Sequence, residues 1–355
     1  MADILSYLEE KKKPIDERLK QYIPEKADEG YLARVFGRTR YEIDKRAMEN
    51  ALAKPISDFL SRGGKRWRPA LFLLIAESLG MEEKEATDFS VFVELLHNGS
   101  IMVDDVEDSS SMRRGKPTTH SIYGVDIAVN AGNFMYFLPL LILKEKHVGG
   151  RRLERAFGIY MQEMINIHAG QAMDIYWHKG NGFRITESHY LQMCAFKTGT
   201  LSRLAARLAV ALCGGTKEQE DMLARFAESI GIAFQIQDDV LDITSSGDGR
   251  EKFGKAYGND IHEGKITLMV IHALDNAGQE EGERLKSILK LHTSDKKLTD
   301  EAISILKKCG SIEYAKAFSR KLVMDAWKHA DKALEDSEQK TILKSFADFL
   351  VEREF

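Results

Sequence analysis

The chain has 355 residues, a hydrophobic content of 43%, a charged content of 30% and a formal net charge of −4 at pH 7. These values describe an ordinary globular protein that is long enough to bury a sizeable core. The slightly acidic balance, with an isoelectric point near 6.2, gives no support for nucleic acid as a partner.

No stretch of the sequence predicts export or a transmembrane segment. The N-terminal residues MADILSYLEEKKK are too acidic for a signal peptide. The longest apolar run, residues 134–143, is well short of the roughly 20 residues that a membrane-spanning helix needs. Cys194, Cys213 and Cys309 form no C-x-x-C pattern, so we expect reduced core cysteines in a cytoplasmic protein.

The distribution of proline predicts long helices. The chain has six prolines, and none follows Pro139. Because a proline inside a helix costs about 3 kcal/mol, its absence from the C-terminal half favours an all-α fold. Residues 1–45 are charge-rich, which predicts one or two peripheral helices or a partly ordered arm. We expect residues 46–355 to form one helical domain.

The first candidate binding feature is a basic loop that contains two glycines. A helical pattern over residues 41–60 ends at Gly63 and Gly64. Lys65, Arg66 and Arg68 follow within four positions, and we expect all three cations to point into the same space. Because glycines let a backbone approach a ligand closely, the loop predicts an anchor for a phosphate group, with a solvated basic turn as the alternative.

The second feature is an acidic cluster at the end of an apolar helix predicted over residues 86–103. Asp104 and Asp108 are four residues apart, which places them on one helix face about 5–6 Å apart. Magnesium is commonly held by one or two carboxylates together with substrate phosphates. Arg113 and Arg114 then supply the guanidinium forks that match phosphate oxygens. The alternative is a solvated acidic helix end.

This acidic pattern occurs twice, which favours the functional interpretation. Residues 234–243, FQIQDDVLDI, repeat the D-D-x-x-D spacing in Asp238, Asp239 and Asp242, again after an apolar run. Unpaired charges beside a core are costly, so two such copies indicate a shared role in binding metal and diphosphate.

Two further residues lie in apolar surroundings. His97 is seven residues before Asp104, on the same helix face, and we interpret it as a substrate contact rather than a satisfied core histidine. Lys197 interrupts an apolar helix next to Gly199. The lysine is either snorkelling to the surface or directed at an anion, and the glycine would allow the necessary kink.

A polar, glycine-rich loop follows the second acidic cluster and ends at Lys265, with Lys255 inside it. A flexible loop beside a metal site is a typical position for a lid. Residues 266–355 show helical periodicity and no recognisable chemistry, so we expect helices that complete the bundle.

The motifs together resemble the trans-isoprenyl diphosphate synthases, the polyprenyl synthetase family. GGKRWRP, DDVEDSSSMRRGKP, GQAMDIYW, KTG, FQIQDDVLD and GNDIHEGK occur in the order and spacing of that family, from about Leu60 to Ala273. The sequence around VNAGNFMYF is similar to that of geranylgeranyl diphosphate synthases of eukaryotic type. The resemblance implies a single all-α bundle around a central cavity, with the two aspartate motifs facing each other across its mouth.

The resemblance also implies a role for each matching residue. Asp104 and Asp108 would bind two Mg²⁺ ions and Asp238 a third, with Asp242 close behind through water. Asp105 and Asp239 complete the two catalytic motifs. The residues implied for the allylic diphosphate are Arg113, Lys197, Thr198, Gln235, Lys255 and Lys265. Those implied for isopentenyl diphosphate are Lys65, Arg68, His97 and Arg114.

Product length is expected to depend on the residues before Asp104. Gly99 and Ser100 are small where relatives that make the short farnesyl product carry bulky aromatics. The growing chain should therefore pass this level. The resemblance implies that Tyr136, Phe137 and His168 form the floor of the groove that holds the growing chain. This floor predicts a twenty-carbon product, geranylgeranyl diphosphate.

Three alternative functions share parts of this pattern. A longer-chain polyprenyl diphosphate synthase would differ only in the floor. A class I terpene cyclase needs no isopentenyl site, so the GGKRWRP loop and Arg114 favour chain elongation. A non-catalytic synthase subunit would usually lack one aspartate motif, and both are intact. The resemblance further implies a homodimer or a higher homo-oligomer.

Overall fold

The computed structural model describes residues 4–181, 184–245 and 257–352. Helices form nearly all of the regular structure in these residues, with one short antiparallel hairpin. The predicted all-α class is therefore confirmed. The described residues divide into two compact units, and each is described by itself.

The first unit contains the residues up to Ala156, together with Leu208–Gly215 and Ser337–Ile342. A π-helical turn, Glu49–Ala53, joins its third and fourth helices. The elements that precede Ala156, in chain order, are α1 (Ile4–Tyr22), α2 (Glu29–Phe36), α3 (Lys45–Met48), α4 (Lys54–Ser61), α5 (Trp67–Ser78), α6 (Glu83–Glu107), β1 (Met112–Arg113), β2 (Lys116–Pro117), α7 (Thr119–Tyr123), α8 (Val125–Phe137) and α9 (Leu140–Glu145).

The core of the first unit lies around α5 and α6. Every residue from Ala70 to Ala76 in α5 is fully buried. That segment is apolar on all sides, as expected for a helix enclosed by neighbours. α6 packs against both α5 and α8, so the helix that carries the first aspartate motif is held within this core.

The N-terminal helix is part of the same core. Four of its apolar side chains are almost completely buried, namely Ile4, Ile15, Leu19 and Tyr22. Arg18 Nε also lies 2.6 Å from Oδ1 of Asp88 in α6. The first unit runs through residue 45 without a boundary there, and the separate domain predicted from residue 46 stays a prediction.

One stretch among the described residues, Val125–Glu145, has the length and the mean hydropathy, 1.4, of a membrane-spanning helix. Burial inside the protein already covers 44% of its most apolar window. The stretch comprises α8 and α9, and α8 packs against α6 and α7. Because core helices have the same composition, the stretch is weak evidence for a membrane.

The second unit contains Phe157–Arg207, Thr216–Asp336 and the residues from Leu343 onward. Two further π-helical turns, Trp177–Asn181 and Ala195–Gly199, follow its first and second helices. The helices from residue 150 onward, some of which contribute residues to both units, are α10 (Gly150–Tyr176), α11 (Glu187–Cys194), α12 (Thr200–Cys213), α13 (Lys217–Thr244), α14 (Asn259–His262), α15 (Leu268–Asn276), α16 (Gln279–Lys290), α17 (Lys296–Lys308), α18 (Ser311–Ala330) and α19 (Glu338–Glu352).

The longest helix, α13, organises the second unit. It begins with a capping box in which Thr216 and Gln219 satisfy each other's backbone N–H groups, and it packs along α18. Cys194, Cys213 and Cys309 carry free thiols. Cys194 is buried in the core as expected, whereas Cys213 and Cys309 are half-buried. The helices predicted after residue 266 are present as far as Glu352.

Two glycines allow α6 and α8 to approach closely. A Cβ added at Gly99 would lie 2.8 Å from the carbonyl oxygen of Gly132 and 3.0 Å from Cβ of Met135. A Cβ at Gly132 would lie 2.7 Å from Cγ2 of Val103. At Gly99 the contact under 3.0 Å is with backbone, which cannot rotate aside, so this helix pair requires glycine there. At Gly132 the tightest contact is with the side chain of Val103, which would have to shift.

We expect Gly99→Ala to lower the free energy of unfolding by about 1–3 kcal/mol, because the added methyl group overpacks the α6 and α8 contact. Chemical denaturation of the purified variant measures this change. Gly30→Ala in α2 is the control, since its Cβ would make one ordinary contact of 3.4 Å. Equal stability of the two variants would contradict the close approach.

Candidate active site

The first acidic cluster lies at the C-terminal end of α6. Asp104 is in the last turn and Asp108 is the C-cap residue. Both carboxylates are half-buried, and their four-residue spacing places them on one side of the helix. A helix C-terminus carries partial negative charge, so this helix end favours a bound cation.

Asp105 has a different environment from its neighbours. It is fully buried, and its Oδ1 lies 2.8 Å from Nε and 2.5 Å from Nη2 of Arg113 in β1. Burial raises the pKa of Asp105, and the positive charge of Arg113 opposes that shift. The carboxylate therefore holds Arg113 in place, 3.9 Å from Oδ2 of Asp104.

The basic loop before α5 separates its cations. Lys65 is exposed, as a ligand anchor on a loop requires. Arg66 turns into the core in a left-handed conformation with φ of 51°, where it donates to Asp16 at 2.7 Å and to Glu94 at 2.6 Å. The expectation that all three cations point into one space is wrong for Arg66, because two carboxylates bind it inside the unit.

Arg68, the last cation of this loop, lies with residues from α6 and the hairpin. Arg68 Nη1 lies 3.3 Å from His97 Nε2. Arg114 donates to the carbonyl of Gly63 and, at 3.1 Å, to Oδ1 of Asn98. Burial, followed by the charges of Arg68 and Arg114, holds the pKa of His97 well below its usual value. Burial also lowers the pKa of Arg114 to about 10.

Burial is the main cause of both shifts, and the neighbouring arginines add to it because positive charges lie close together beside the glycine loop. Each guanidinium would be stabilised by an anion, and the forked donors of arginine match diphosphate oxygens. The first unit thus brings together Arg68, His97 and Arg114, three of the four residues expected to bind isopentenyl diphosphate.

The second acidic cluster, in α13, repeats the division seen in α6. Asp238 is half-buried. Asp239 is buried and accepts hydrogen bonds from Tyr190 Oη at 2.7 Å and from Gln235 Nε2 at 2.8 Å. In each motif the first aspartate is accessible and the second is anchored by neighbouring side chains.

Asp242 differs from Asp108 although both occupy the third acidic position. Its two carboxylate oxygens accept the backbone N–H groups of Asn259 at 3.1 Å and Asp260 at 3.0 Å. Asp242 therefore caps the start of α14 from a distance in sequence. Its predicted place behind a metal-bound water stays a prediction.

The π-helical turn at Ala195–Gly199 presents the next predicted binding residues. Lys197 Nζ lies 2.5 Å from Oδ2 of Asp174 in α10. Thr198 Oγ1 donates to Oε1 of Gln235 at 2.9 Å. Because Gln235 also donates to Asp239, the hydroxyl of Thr198 is connected to the second aspartate motif.

Lys265 is held by acidic neighbours in the same unit. Its Nζ lies 2.5 Å from Glu263 and 3.6 Å from Asp260. Burial acts to lower the pKa of Lys265, but Asp260, Glu263 and Asp174 outweigh it and raise the pKa well above its usual value. Lys265 is therefore a permanent cation near Asp174. Lys255 lies outside the described residues.

Sequence reasoning did not assign roles to five residues that support these groups, namely Asp16, Glu94, Asn98, Asp174 and Tyr190. Glu94 and Asn98 are four residues apart on α6, and the amide of Asn98 donates to Glu94 at 2.8 Å. That spacing was the only available signal. The pairings of Asp16, Asp174 and Tyr190 connect distant parts of the chain, and no local pattern announces them.

The residues proposed to control product length are in different surroundings. Tyr136 is largely buried, and its ring would lie 3.4 Å from a Cβ at Gly99. Phe137 is 65% exposed, and His168 is exposed with Nδ1 2.8 Å from the carbonyl of Met164. The small size of Gly99 is explained by its contact with α8, so it is not evidence for an open groove.

Comparison with known proteins agrees with this chemistry. The family model described as polyprenyl synthetase matches residues 49–306. A short chain isoprenyl diphosphate synthase of Methanothermobacter thermautotrophicus is 34% identical over 85% of this chain and 90% of its own length. The geranylgeranyl pyrophosphate synthase of Dictyostelium discoideum is 35% identical over 77% of this chain and 85% of its own.

A solved structure extends the likeness to the whole fold. The geranylgeranyl pyrophosphate synthetase of Pyrococcus horikoshii superposes with a TM-score of 0.81 and 31% identity, covering 99% of this chain and 98% of that one. The chain belongs to the polyprenyl synthetase family, a family of prenyltransferases. The fold and the enzyme class implied by the motifs are thereby confirmed.

We expect Arg66→Met to lower the free energy of unfolding by about 3–5 kcal/mol, because it leaves the buried carboxylate of Glu94 without its cation. Denaturation curves of the variant measure the loss. Adding Glu94→Gln should restore part of it, since the double variant has no unpaired buried charge. A loss below about 1 kcal/mol would contradict the buried ion pair.

Proposed function

We propose that the protein condenses isopentenyl diphosphate with an allylic diphosphate, farnesyl or shorter, to give geranylgeranyl diphosphate. The observation that carries this proposal is the pair of guanidinium groups of Arg68 and Arg114, gathered with the imidazole of His97 around the Gly63–Gly64 loop. An enzyme that only ionises one diphosphate has no use for this second anion site. Relatives named geranylgeranyl pyrophosphate synthase, archaeal and eukaryotic, support the product.

The donor chemistry of both acidic clusters fits magnesium, on which enzymes of this family generally depend. The accessible groups are carboxylates only, and hard cations such as Mg²⁺ take oxygen ligands. Among the described residues, no three acidic, histidine or cysteine side chains form a metal site by themselves. That agrees with a metal whose coordination is completed by substrate diphosphate and water.

In the proposed arrangement, Asp104 and Asp108 would hold two ions and Asp238 would hold a third, with Asp242 close behind through water. Bound Mg²⁺ would supply positive charge to the leaving diphosphate. Asp105 has a positioning role here, because it fixes the guanidinium of Arg113 beside Asp104. Asp239, anchored by Tyr190 and Gln235, has the corresponding role in α13.

Two groups of residues would then bind the two substrates. Arg113, Lys197, Thr198, Gln235 and Lys265 would bind the allylic diphosphate, together with Lys255, and stabilise its charge as the allylic C–O bond breaks. Lys65, Arg68, His97 and Arg114 would bind the diphosphate of isopentenyl diphosphate. Its double bond attacks the allylic cation, a C–C bond forms, and the proton lost passes to the departing diphosphate. An apolar cavity would exclude the water that quenches the cation.

We further propose a homodimer in the cytoplasm. Three exposed apolar side chains lie one turn apart on α10, namely Phe157, Met161 and Ile165. An exposed apolar stripe of this kind is typical of a protein interface. Light scattering of the purified protein tests the dimer.

Purified protein with Mg²⁺, isopentenyl diphosphate and farnesyl diphosphate should give a twenty-carbon product and release diphosphate. Asp104→Asn and Asp238→Asn should each lower kcat at least about 100-fold, because each removes charge stabilisation at the reacting centre. Asp300→Asn on the exposed face of α17 is the matched control.

Three outcomes would contradict the proposal in whole or in part. Diphosphate release that does not require isopentenyl diphosphate would indicate a terpene cyclase. No release under any combination of substrates would indicate a non-catalytic subunit. A main product of twenty-five carbons or more would overturn the chain length and leave the enzyme class intact.

The floor of the product site is tested by three alanine variants. Tyr136→Ala should lengthen the product, because it opens space beside the α6 and α8 contact. His168→Ala and Phe137→Ala should lengthen it only if these exposed side chains meet the product in the assembled enzyme. Chain-length analysis of the products measures all three. An unchanged product from Tyr136→Ala would make this side chain an ordinary core residue.

A further inference from the structure

The helix from Glu187 to Cys213 is interrupted by one wide turn. α11 ends at Cys194, α12 starts at Thr200, and the turn between them, Ala195–Gly199, is π-helical. A π-turn contains one extra residue, which pushes the backbone outward from the helix axis. We call this segment the 195–199 bulge. It carries Lys197 and Thr198.

The backbone of the bulge packs directly against a glycine on α10. A Cβ added at Gly170 would lie 2.3 Å from the amide nitrogen of Lys197 and 2.6 Å from the carbonyl carbon of Phe196. Both neighbours are backbone atoms, which cannot rotate aside as a side chain can. Any other residue at this position must displace the bulge or α10.

A second glycine, on α13, packs against the other side of the bulge. A Cβ added at Gly231 would lie 2.6 Å from Cα of Gly199 and 3.1 Å from the carbonyl oxygen of Thr198. The bulge is therefore enclosed by Gly170 on one helix and by Gly231 on another. We call this pair the glycine clamp.

Each glycine of the clamp lies one helical turn before the residue that meets a bulge side chain. Asp174 is four residues after Gly170, and its Oδ2 lies 2.5 Å from Nζ of Lys197. Gln235 is four residues after Gly231, and its Oε1 accepts a hydrogen bond from Oγ1 of Thr198 at 2.9 Å. Residues four apart share a helix face, so the depth of the bulge and the position of its two polar groups depend on the same helix contacts.

We propose that Gly170 and Gly231 are positioning residues, which set the depth of the bulge and so place Lys197 Nζ and Thr198 Oγ1 for the allylic diphosphate. This inference rests on the proposed function, in which Lys197 and Thr198 bind that diphosphate. The glycines touch no substrate. They act because a larger residue would shift the backbone that carries the two binding groups.

The test compares Gly170→Ala and Gly231→Ala with Gly158→Ala and Gly282→Ala. A Cβ at either control position would meet nothing within 4 Å, and Gly158 is in the same helix as Gly170. Each clamp variant should raise KM for the allylic diphosphate at least about tenfold, equivalent to about 1.4 kcal/mol. KM for isopentenyl diphosphate should stay within about twofold, and both controls should resemble the parent protein.

A double-mutant cycle separates positioning from general damage. In a Lys197→Ala background, Gly170→Ala should change KM for the allylic diphosphate much less than it does in the parent, because the group it positions is gone. Titration calorimetry with inorganic pyrophosphate and Mg²⁺ gives a second measurement that needs no turnover. Affinity should fall in the clamp variants and stay unchanged in the controls.

The results distinguish the clamp from the wider proposal. Unchanged KM in both clamp variants, or an equal rise of both KM values, overturns the clamp. An inactive parent protein overturns the proposed function instead, and the pyrophosphate titration still decides the clamp. If both clamp variants fail to fold, Gly199→Ala is the milder test, since its Cβ would meet Cγ and the carbonyl oxygen of Glu228 at 3.3 Å. Normal pyrophosphate affinity in that variant overturns the clamp.

Discussion

The arrangement of the candidate site depends on how the protein handles adjacent aspartates at a helix end. Two neighbouring carboxylates cannot both face the same space without repulsion, and a buried carboxylate needs hydrogen-bond donors. In α6 the buried Asp105 is bound by Arg113, and in α13 the buried Asp239 is bound by Tyr190 and Gln235. The preceding aspartate is thereby left on the accessible side of each helix.

A buried ionic network gives the basic loop its shape. Arg66 binds Asp16 from α1 and Glu94 from α6, and Asn98 connects Glu94 to Arg114. One cation of the loop is thus used for structure, and under the proposed function Lys65 and Arg68 bind the ligand. The same contacts show what α1 contributes: its Asp16 binds Arg66 and so anchors the loop.

Glycine allows close contact between helices at two places in this protein. Gly99 and Gly132 bring α6 and α8 together, and Gly170 and Gly231 enclose the 195–199 bulge. Small residues in a sequence are easily interpreted as open space for a ligand. Here the space beside each of these glycines is filled by the backbone of a neighbouring helix, which is a packing role.

The amino-acid sequence by itself determined the helical class, the two aspartate motifs and the types of cation around them, because helix propensity and local spacing are properties of neighbouring residues. Only the tertiary structure decided that Arg66 turns inward, that Asp242 caps α14, and that Gly99 serves a helix contact. Each of these outcomes depends on a partner distant in the chain. A local pattern shows that a charged or small residue is present, and the partner that packs against it decides what that residue does.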